Sequence, residues 1–246
     1  MIHLMTEPDA MPVPASGEPW DLWQDGARAP ALNMAVDEVL LEDAARRQQP
    51  LLRFYGWDRP AVSIGYVQKF SAAPQTGFAV VRRPTGGGIV FHDHDFTYSV
   101  IIPAGHWLRH VDRLCSYVFI NEAVRAGLAH CRISGTLATA EMTRSADRDT
   151  MVCFQTPTRY DILADGRKIA GSAQRRTRQG ILHQGSIHFG GTLPLSRDHL
   201  ERALLNGFRQ VGRAQFATFV PSAALLARAE VLVRERYGND NWNRRR

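Results

Sequence analysis

Three consecutive glycines, Gly86, Gly87 and Gly88, separate two apolar runs and set the first limit on how this chain can fold. Glycine weakens helix and strand alike, because it loses the most backbone freedom on ordering. The segment therefore reads as a loop between the runs Phe78 to Val81 and Ile89 to Phe91. A loop without side chains lets the backbone approach another group closely, and a nest of outward N–H groups suits an anion or a polarised carbonyl. Arg82 and Arg83 precede the glycines and offer bidentate contacts to phosphate or carboxylate; His92 and Asp93 follow. A plain tight turn between two strands would use the same glycines. It would not call for the arginines or the His-Asp pair. Arg82, Arg83, Gly86, Gly87, Gly88 and His92 are therefore candidate ligand-binding residues.

Around this loop the chain carries short strands and amphipathic helices. Leu32, Val36, Val39 and Leu40 recur at helical spacing, and Pro50 closes that helix. Strands are expected at Leu51 to Tyr55, Ala61 to Ile64, Phe78 to Val81, Ile89 to Phe91 and Phe96 to Ile102. Leu114, Tyr117, Ile120, Val124 and Leu128 form a second helical stripe, with Gly127 a mild breaker near its end. The polar, irregular stretch 132–150 predicts a mobile loop. Further strands are expected at Met151 to Gln155, Arg159 to Ala164, Lys168 to Ala173 and Ile181 to Phe189, with Asp165-Gly166 as a hairpin turn. Ser196 is placed to cap a helix through Asn206 that Gly207 stops, and Ser222 a last helix ending before Gly238. The pattern predicts an α+β domain of mixed or antiparallel sheets flanked by helices. Residues 1–19 read as a flexible tail, 20–238 as the folded domain, and 239–246 as a disordered basic tail.

Composition removes several classes of protein. With 44% hydrophobic and 22% charged residues over 246 positions, the chain is an ordinary globular sequence. No apolar run approaches the ~18 residues that span a bilayer, and the first residues lack a basic and an apolar signal region. Three cysteines without framework spacing point to a reducing, cytoplasmic setting and to no metal site. The net charge of +6 fits either nucleic acid or an acidic protein partner.

A few residues carry possible chemistry. Lys168 lies in an otherwise small and apolar strand segment, Ile169 to Ala173, where a lysine must reach solvent or find a partner; a sheet-edge role is the plain alternative. Cys153 is a candidate nucleophile, whereas Cys115 and Cys131 read as small core residues. Asp161 could act with Lys168 or hold a loop, and His183 could orient a neighbour.

The ordered set Arg-Arg-x-x-Gly-Gly-Gly-x-x-x-His-Asp, Cys153-Phe154-Gln155, Tyr160 to Gln174 and Leu182 to Ile187 resembles the lipoate–protein ligase and octanoyltransferase superfamily. Asn33 to Asp37 and Ser63 to Gln68 resemble that family's first helix and an early strand, and the resemblance runs from about Trp20 to Leu205. It implies one biotin/lipoate-ligase-like catalytic domain, without the separate C-terminal domain of some ligases. It further implies that Lys168 points into an acyl site formed with Gly171, Ser172 and Ala173. Cys153 stands where the octanoyltransferase branch has its acyl-accepting thiol. Tyr160 replaces an asparagine that, in ligases, precedes an acidic residue near the nucleotide. The function so implied is transfer of an octanoyl group from acyl carrier protein to a lysine of a lipoyl carrier protein, such as glycine cleavage H protein or a dehydrogenase E2 lipoyl domain. The implied scheme is ping-pong and needs no cofactor, no nucleic acid and no membrane. Other readings are an ATP- and Mg-dependent lipoate ligase using Arg82, Arg83 and the glycine amides, an amidotransferase between carrier proteins, and a non-catalytic acyl-binding module.

Overall fold

A computed structural model describes residues 16–74, 76–139 and 158–246. In chain order, β1 (Glu18–Arg28) leads into α1 (Pro30–Arg47), whose proline sits in the first turn, where no backbone bond is lost. There follow β2 (Leu51–Trp57), β3 (Ala61–Ile64), β4 (Ala79–Arg82), β5 (Val90–His92) and β6 (Phe96–Pro103). The one-turn α2 (Trp107–His110), α3 (Arg113–His130) and β7 (Thr136–Leu137) come next. The chain then gives β8 (Ile162–Ala164), β9 (Arg167–Arg176), β10 (Gly180–Ile187), α4 (Arg197–Gly212) and β11 (Ala214–Thr218). It closes with α5 (Ala223–Leu232), a π turn over Val233–Tyr237, and α6 (Asp240–Asn243). The strand expected over Met151–Gln155 lies outside the described residues.

Among the described residues the strands form two sheets. The larger has the order β11-β1-β2-β6-β10-β9-β8-β7, and the smaller β4-β3-β5. β1 runs parallel to both its neighbours, and the rest of the large sheet is antiparallel, so the sheet is mixed as expected. Side chains alternate across it. On β6, Phe96, Tyr98, Val100 and Ile102 enter the core under α3 and α4, while Ile101 joins the core under α1 and α5. Asp165 and Gly166 both have positive φ, 50° and 73°, as a two-residue type I′ hairpin turn between β8 and β9 requires. The expected caps form: Ser196 and Ser222 accept backbone N–H bonds from His199 and Leu225.

The structure corrects three sequence expectations. β1 is an element the pattern does not announce: Trp20 and Trp23, three apart, face different cores, so neither side carries an uninterrupted apolar row, and a bulge between Gln24 and Ala27 shifts the period beyond them. Gly207 does not stop α4, and Gly127 does not break α3. They are the contact point of the two helices: a Cβ on Gly207 would fall 2.0 Å from the Ala123 carbonyl oxygen and 2.4 Å from Gly127 N. The basic tail is not a loose end. Arg82 Nη2 donates to the Asn243 carbonyl (2.8 Å), Trp242 Nε1 donates to the Arg82 carbonyl (2.8 Å), and Arg245 covers the Tyr66 ring at 3.8 Å. Those arginines are held by carbonyls and ring faces, which a charge count does not reveal.

The helix contact yields a test. Gly207→Ala forces backbone against backbone and should cost roughly 2–3 kcal/mol, lowering Tm by about 5–10 °C. Gly105→Ala, with nothing within 4 Å of its Cβ, should leave Tm unchanged. Equal melting of the two variants would mean that α3 and α4 do not cross at these glycines.

Candidate active site

The site forms where the α1 side of the large sheet meets the small sheet. Its floor is set by a buried charge network. Arg53 on β2, wholly enclosed, donates to Asp37 on α1 (2.6 Å) and to Asp25 on β1 (2.8 Å). Asp37 also accepts from Gln184 Nε2 on β10 (2.8 Å), and Gln184 Oε1 accepts from Thr85 Oγ1 (2.7 Å) in the glycine loop. A polar chain thus runs from the first helix to that loop.

Arg83 shapes the loop itself. Its Nη2 donates to the carbonyls of Gly86 and Gly88, each at 2.6 Å, and its Nη1 donates to the Ser63 carbonyl at 2.9 Å. Gly87 takes a left-handed φ of 84°, which favours glycine. Gly65 is required as well, since a Cβ there would lie 2.0 Å from the Gly87 carbonyl oxygen. With the loop carbonyls turned to Arg83, its N–H groups are the polar atoms left for a ligand; among the described residues no hydrogen bond engages the N–H of Gly86 or Gly87.

Two adjoining pockets share a wall of Gly87, Ser172 and Ala173. The inner one is lined by Met34, Tyr55, Trp57 and Val90 together with Ser63, His92 and Gly171. The outer one is polar, with Arg113, Tyr117, Asn121, Arg159 and Asp161 at its walls. Lys168 lines neither; it lies behind Asp161 of the outer pocket and Gly171 of the inner one. Its Nζ is 2.7 Å from Asp161 Oδ2, and both side chains are almost wholly enclosed. Gly171 leaves the room for this pair: a Cβ there would sit 2.4 Å from Lys168 Cε and 2.6 Å from Nζ. Burial pushes the Asp161 carboxyl above the ordinary aspartate range, and the Lys168 ammonium and the Thr158 hydrogen bonds offset only part of that. Lys168 is no edge residue, for β9 has neighbours on both sides. A buried ammonium beside a small-residue wall can meet an oxyanion or a polarised carbonyl.

Of the candidates read from the sequence, Arg83, Gly86, Gly87, His92, Asp161, Gly171, Ser172 and Ala173 line the two pockets. Gly88 contributes its carbonyl to Arg83. Arg82 is a correction: it is fully buried, and its guanidinium donates to the carbonyls of Gly65, Gln68 and Asn243. It stitches the chain terminus to the small sheet and lines neither of these pockets. Cys153 lies outside the described residues. Cys115 and Cys131 are half-buried, and Cys131 packs against the larger core. His183 is enclosed near Tyr98 and Tyr117, and burial pushes its pKa down to about 3, so it stays neutral. Among the described residues no three His, Cys, Asp or Glu side chains gather as a metal site, and no helix is long and apolar enough to cross a membrane. Sequence reading missed Trp57, Ser63, Asp95 and Gln184; Gln184 stood inside a quoted motif, but its bond to Thr85 is long-range.

Tyr160, which the sequence resemblance sets against an asparagine, has φ of 72°. Asparagine adopts that backbone readily and an aromatic residue does not. Here Asn121 Nδ2 holds the Tyr160 carbonyl at 2.9 Å, and Tyr160 N donates to the Ala138 carbonyl.

An apolar pocket, a glycine loop and a buried lysine–aspartate pair behind the pocket walls suit acyl-group chemistry. The comparisons place it more narrowly. The chain matches the lipoyl protein ligase A/B catalytic domain over residues 29–224 and belongs to that family. It is 31% identical to octanoyltransferase LipM of Halalkalibacterium halodurans, over 93% of this chain and 100% of the relative. To LipM of Moorella thermoacetica it is 36% identical, over 84% of this chain and 77% of the relative. Solved folds agree. Lipoate-protein ligase A bound with ATP superimposes with a TM-score of 0.75 at 21% identity, covering 92% of this chain and 98% of that one. A bipartite lipoate protein ligase from Thermoplasma acidophilum, studied with its E2 lipoyl domain, gives 0.73 at 20% identity, covering 93% and 96%.

The lysine geometry can be tested without any substrate. The chain's lysines are Lys69 and Lys168, so 15N-lysine labelling gives two Nζ signals. Gly171→Ala should push Lys168 off Asp161, move its signal toward that of a solvated lysine and lower Tm, because a buried pair is broken. An unchanged pair of signals would show that Gly171 does not hold the space for Lys168.

Proposed function

We propose that this protein moves an octanoyl group from an acyl carrier protein to a lysine of a lipoyl carrier protein, through a thioester on Cys153. The observation that carries this reading is Lys168, enclosed with Asp161 and set against the Gly171 wall of an apolar pocket. The shared family and the octanoyltransferase relatives support it. The Cys153 thiolate attacks the thioester carbonyl carbon, and the carrier thiol leaves with a proton. The acceptor amine then attacks the acyl-cysteine, loses a proton and frees the thiol. Lys168 stabilises the negative charge that builds on the carbonyl oxygen in both steps. The thioester already holds the activation energy, so no nucleotide enters. Arg82 and Arg83, which a ligase reading would turn to phosphate, give donors to protein carbonyls instead. A net charge of +6 favours encounter with acidic carriers. Suitable acceptors are glycine cleavage H protein and dehydrogenase E2 lipoyl domains.

Intact mass after incubation with octanoyl carrier protein, without ATP, should show one octanoyl group removable by neutral hydroxylamine. Cys153→Ala should take none. Modification of a lipoyl domain only with free octanoate or lipoate and ATP would identify a ligase instead.

Lys168→Ala should fold and still meet both carriers, yet transfer on the order of 100- to 1,000-fold more slowly. Lys168→Arg should restore little, because a planar fork does not replace a compact ammonium. Single-turnover rates check this, and wild-type rates in both variants would remove Lys168 from the chemistry.

A further inference from the structure

Ser63, His92 and Asp95 stand in line along the inner pocket, and the transfer scheme above leaves them unused. Ser63 Oγ is 2.8 Å from His92 Nε2, and His92 Nδ1 is 2.8 Å from Asp95 Oδ2. Ser63 and His92 line the pocket, while Asp95 is enclosed behind them. The partners decide where the protons sit. Arg83 Nη1, 3.1 Å from Ser63 Oγ, can only donate. Ser63 Oγ therefore accepts from Arg83 and keeps its own proton to donate. In the tautomer with Nδ1–H toward Asp95, His92 Nε2 is the acceptor for that proton.

The aspartate is prepared for that role. Thr97 and Ser186 hydroxyls donate to the same Asp95 oxygen at 2.9 and 2.6 Å. Burial alone would raise its pKa, but the attraction and hydrogen bond of His92, with those of Ser186 and Thr97, hold it below the usual range. Trp57 stacks on the imidazole, with ring centres 3.9 Å apart and planes at 19°, which fixes the ring's orientation. A hydroxyl, a base in the right tautomer and an orienting carboxylate, with a guanidinium beside the oxygen, make an activated nucleophile.

We propose that Ser63 is a second acyl-accepting nucleophile, which gives the inner pocket an esterase activity on medium-chain acyl esters and thioesters. Ser63 Oγ adds to the carbonyl carbon while His92 Nε2 takes its proton. The alcohol or thiol leaves with that proton. Water, deprotonated by His92, then attacks the acyl-serine, releases the carboxylic acid and restores Ser63. Arg83, donating to Oγ, favours loss of the hydroxyl proton; the negative charge then passes to the carbonyl oxygen as the bond to carbon forms. The inference rests on the inner pocket holding acyl chains, and it does not pass through Cys153.

The full chain treated with an octyl fluorophosphonate, then digested and mapped by mass, tests this directly. One adduct on the peptide bearing Ser63 is expected, formed on the order of 1,000-fold more slowly in Asp95→Asn, where the tautomer is lost. No adduct, or an adduct elsewhere only, overturns the proposal, and this arm needs no variant to fold. A second arm uses 4-nitrophenyl octanoate. An acyl group mapped to Ser63 should survive neutral hydroxylamine, which cleaves thioesters and spares oxygen esters. Acylation confined to Cys153 and fully labile would count against Ser63, while leaving the transfer reading intact.

Discussion

The guanidinium of Arg53 sits at zero exposure in the middle of the large sheet, and the position of the active site follows from how its charge is met. A buried arginine without partners would cost several kcal/mol, and removing one member of such a pair typically costs about 3–5 kcal/mol. Asp25 from β1, Asp37 from α1 and the Asn33 side chain all converge on it. The first strand and the first helix are thereby fixed against β2 before any ligand is considered. Because Asp37 has a second oxygen for Gln184, and Gln184 a second polar atom for Thr85, the same anchor reaches the glycine loop. Mutating this network would disturb stability and loop position together.

The neighbouring arginines illustrate how strand geometry divides like residues. Arg82 ends β4 and Arg83 follows it, so they leave the backbone on opposite sides. Arg82 turns into the protein and closes the terminal segment over the small sheet. Burial, with the nearby charges of Arg245 and Arg246, lowers its pKa to about 10, so it remains a cation at neutral pH. Arg83 turns to the loop and takes up its carbonyls. The loop's shape therefore comes from an arginine acting on backbone rather than on a ligand.

The site joins an apolar pocket to a polar chamber across a wall that carries almost no side chain. Gly87, Gly171 and Ala173 keep that wall thin, and Lys168 with Asp161 stands against it. The glycines matter here as absent volume: a Cβ on Gly171 would meet Lys168, and one on Gly87 would meet Arg83.

The sequence alone determined the α+β class, most strands and helices, the helix caps, the Asp165-Gly166 turn and the family, because period, turn chemistry and motif order are local properties. It also singled out Lys168, Asp161 and the glycine loop. Only the tertiary structure decided that Arg82 serves the chain terminus, that Gly127 and Gly207 make a helix contact, and that residues 239–246 belong to the folded body. It alone brought Ser63, His92 and Asp95 into line, and it alone paired Gln184 with Thr85. These pairings span up to about 160 residues; their energy comes from burial and from polar atoms that must find partners away from water, which nearby sequence does not encode.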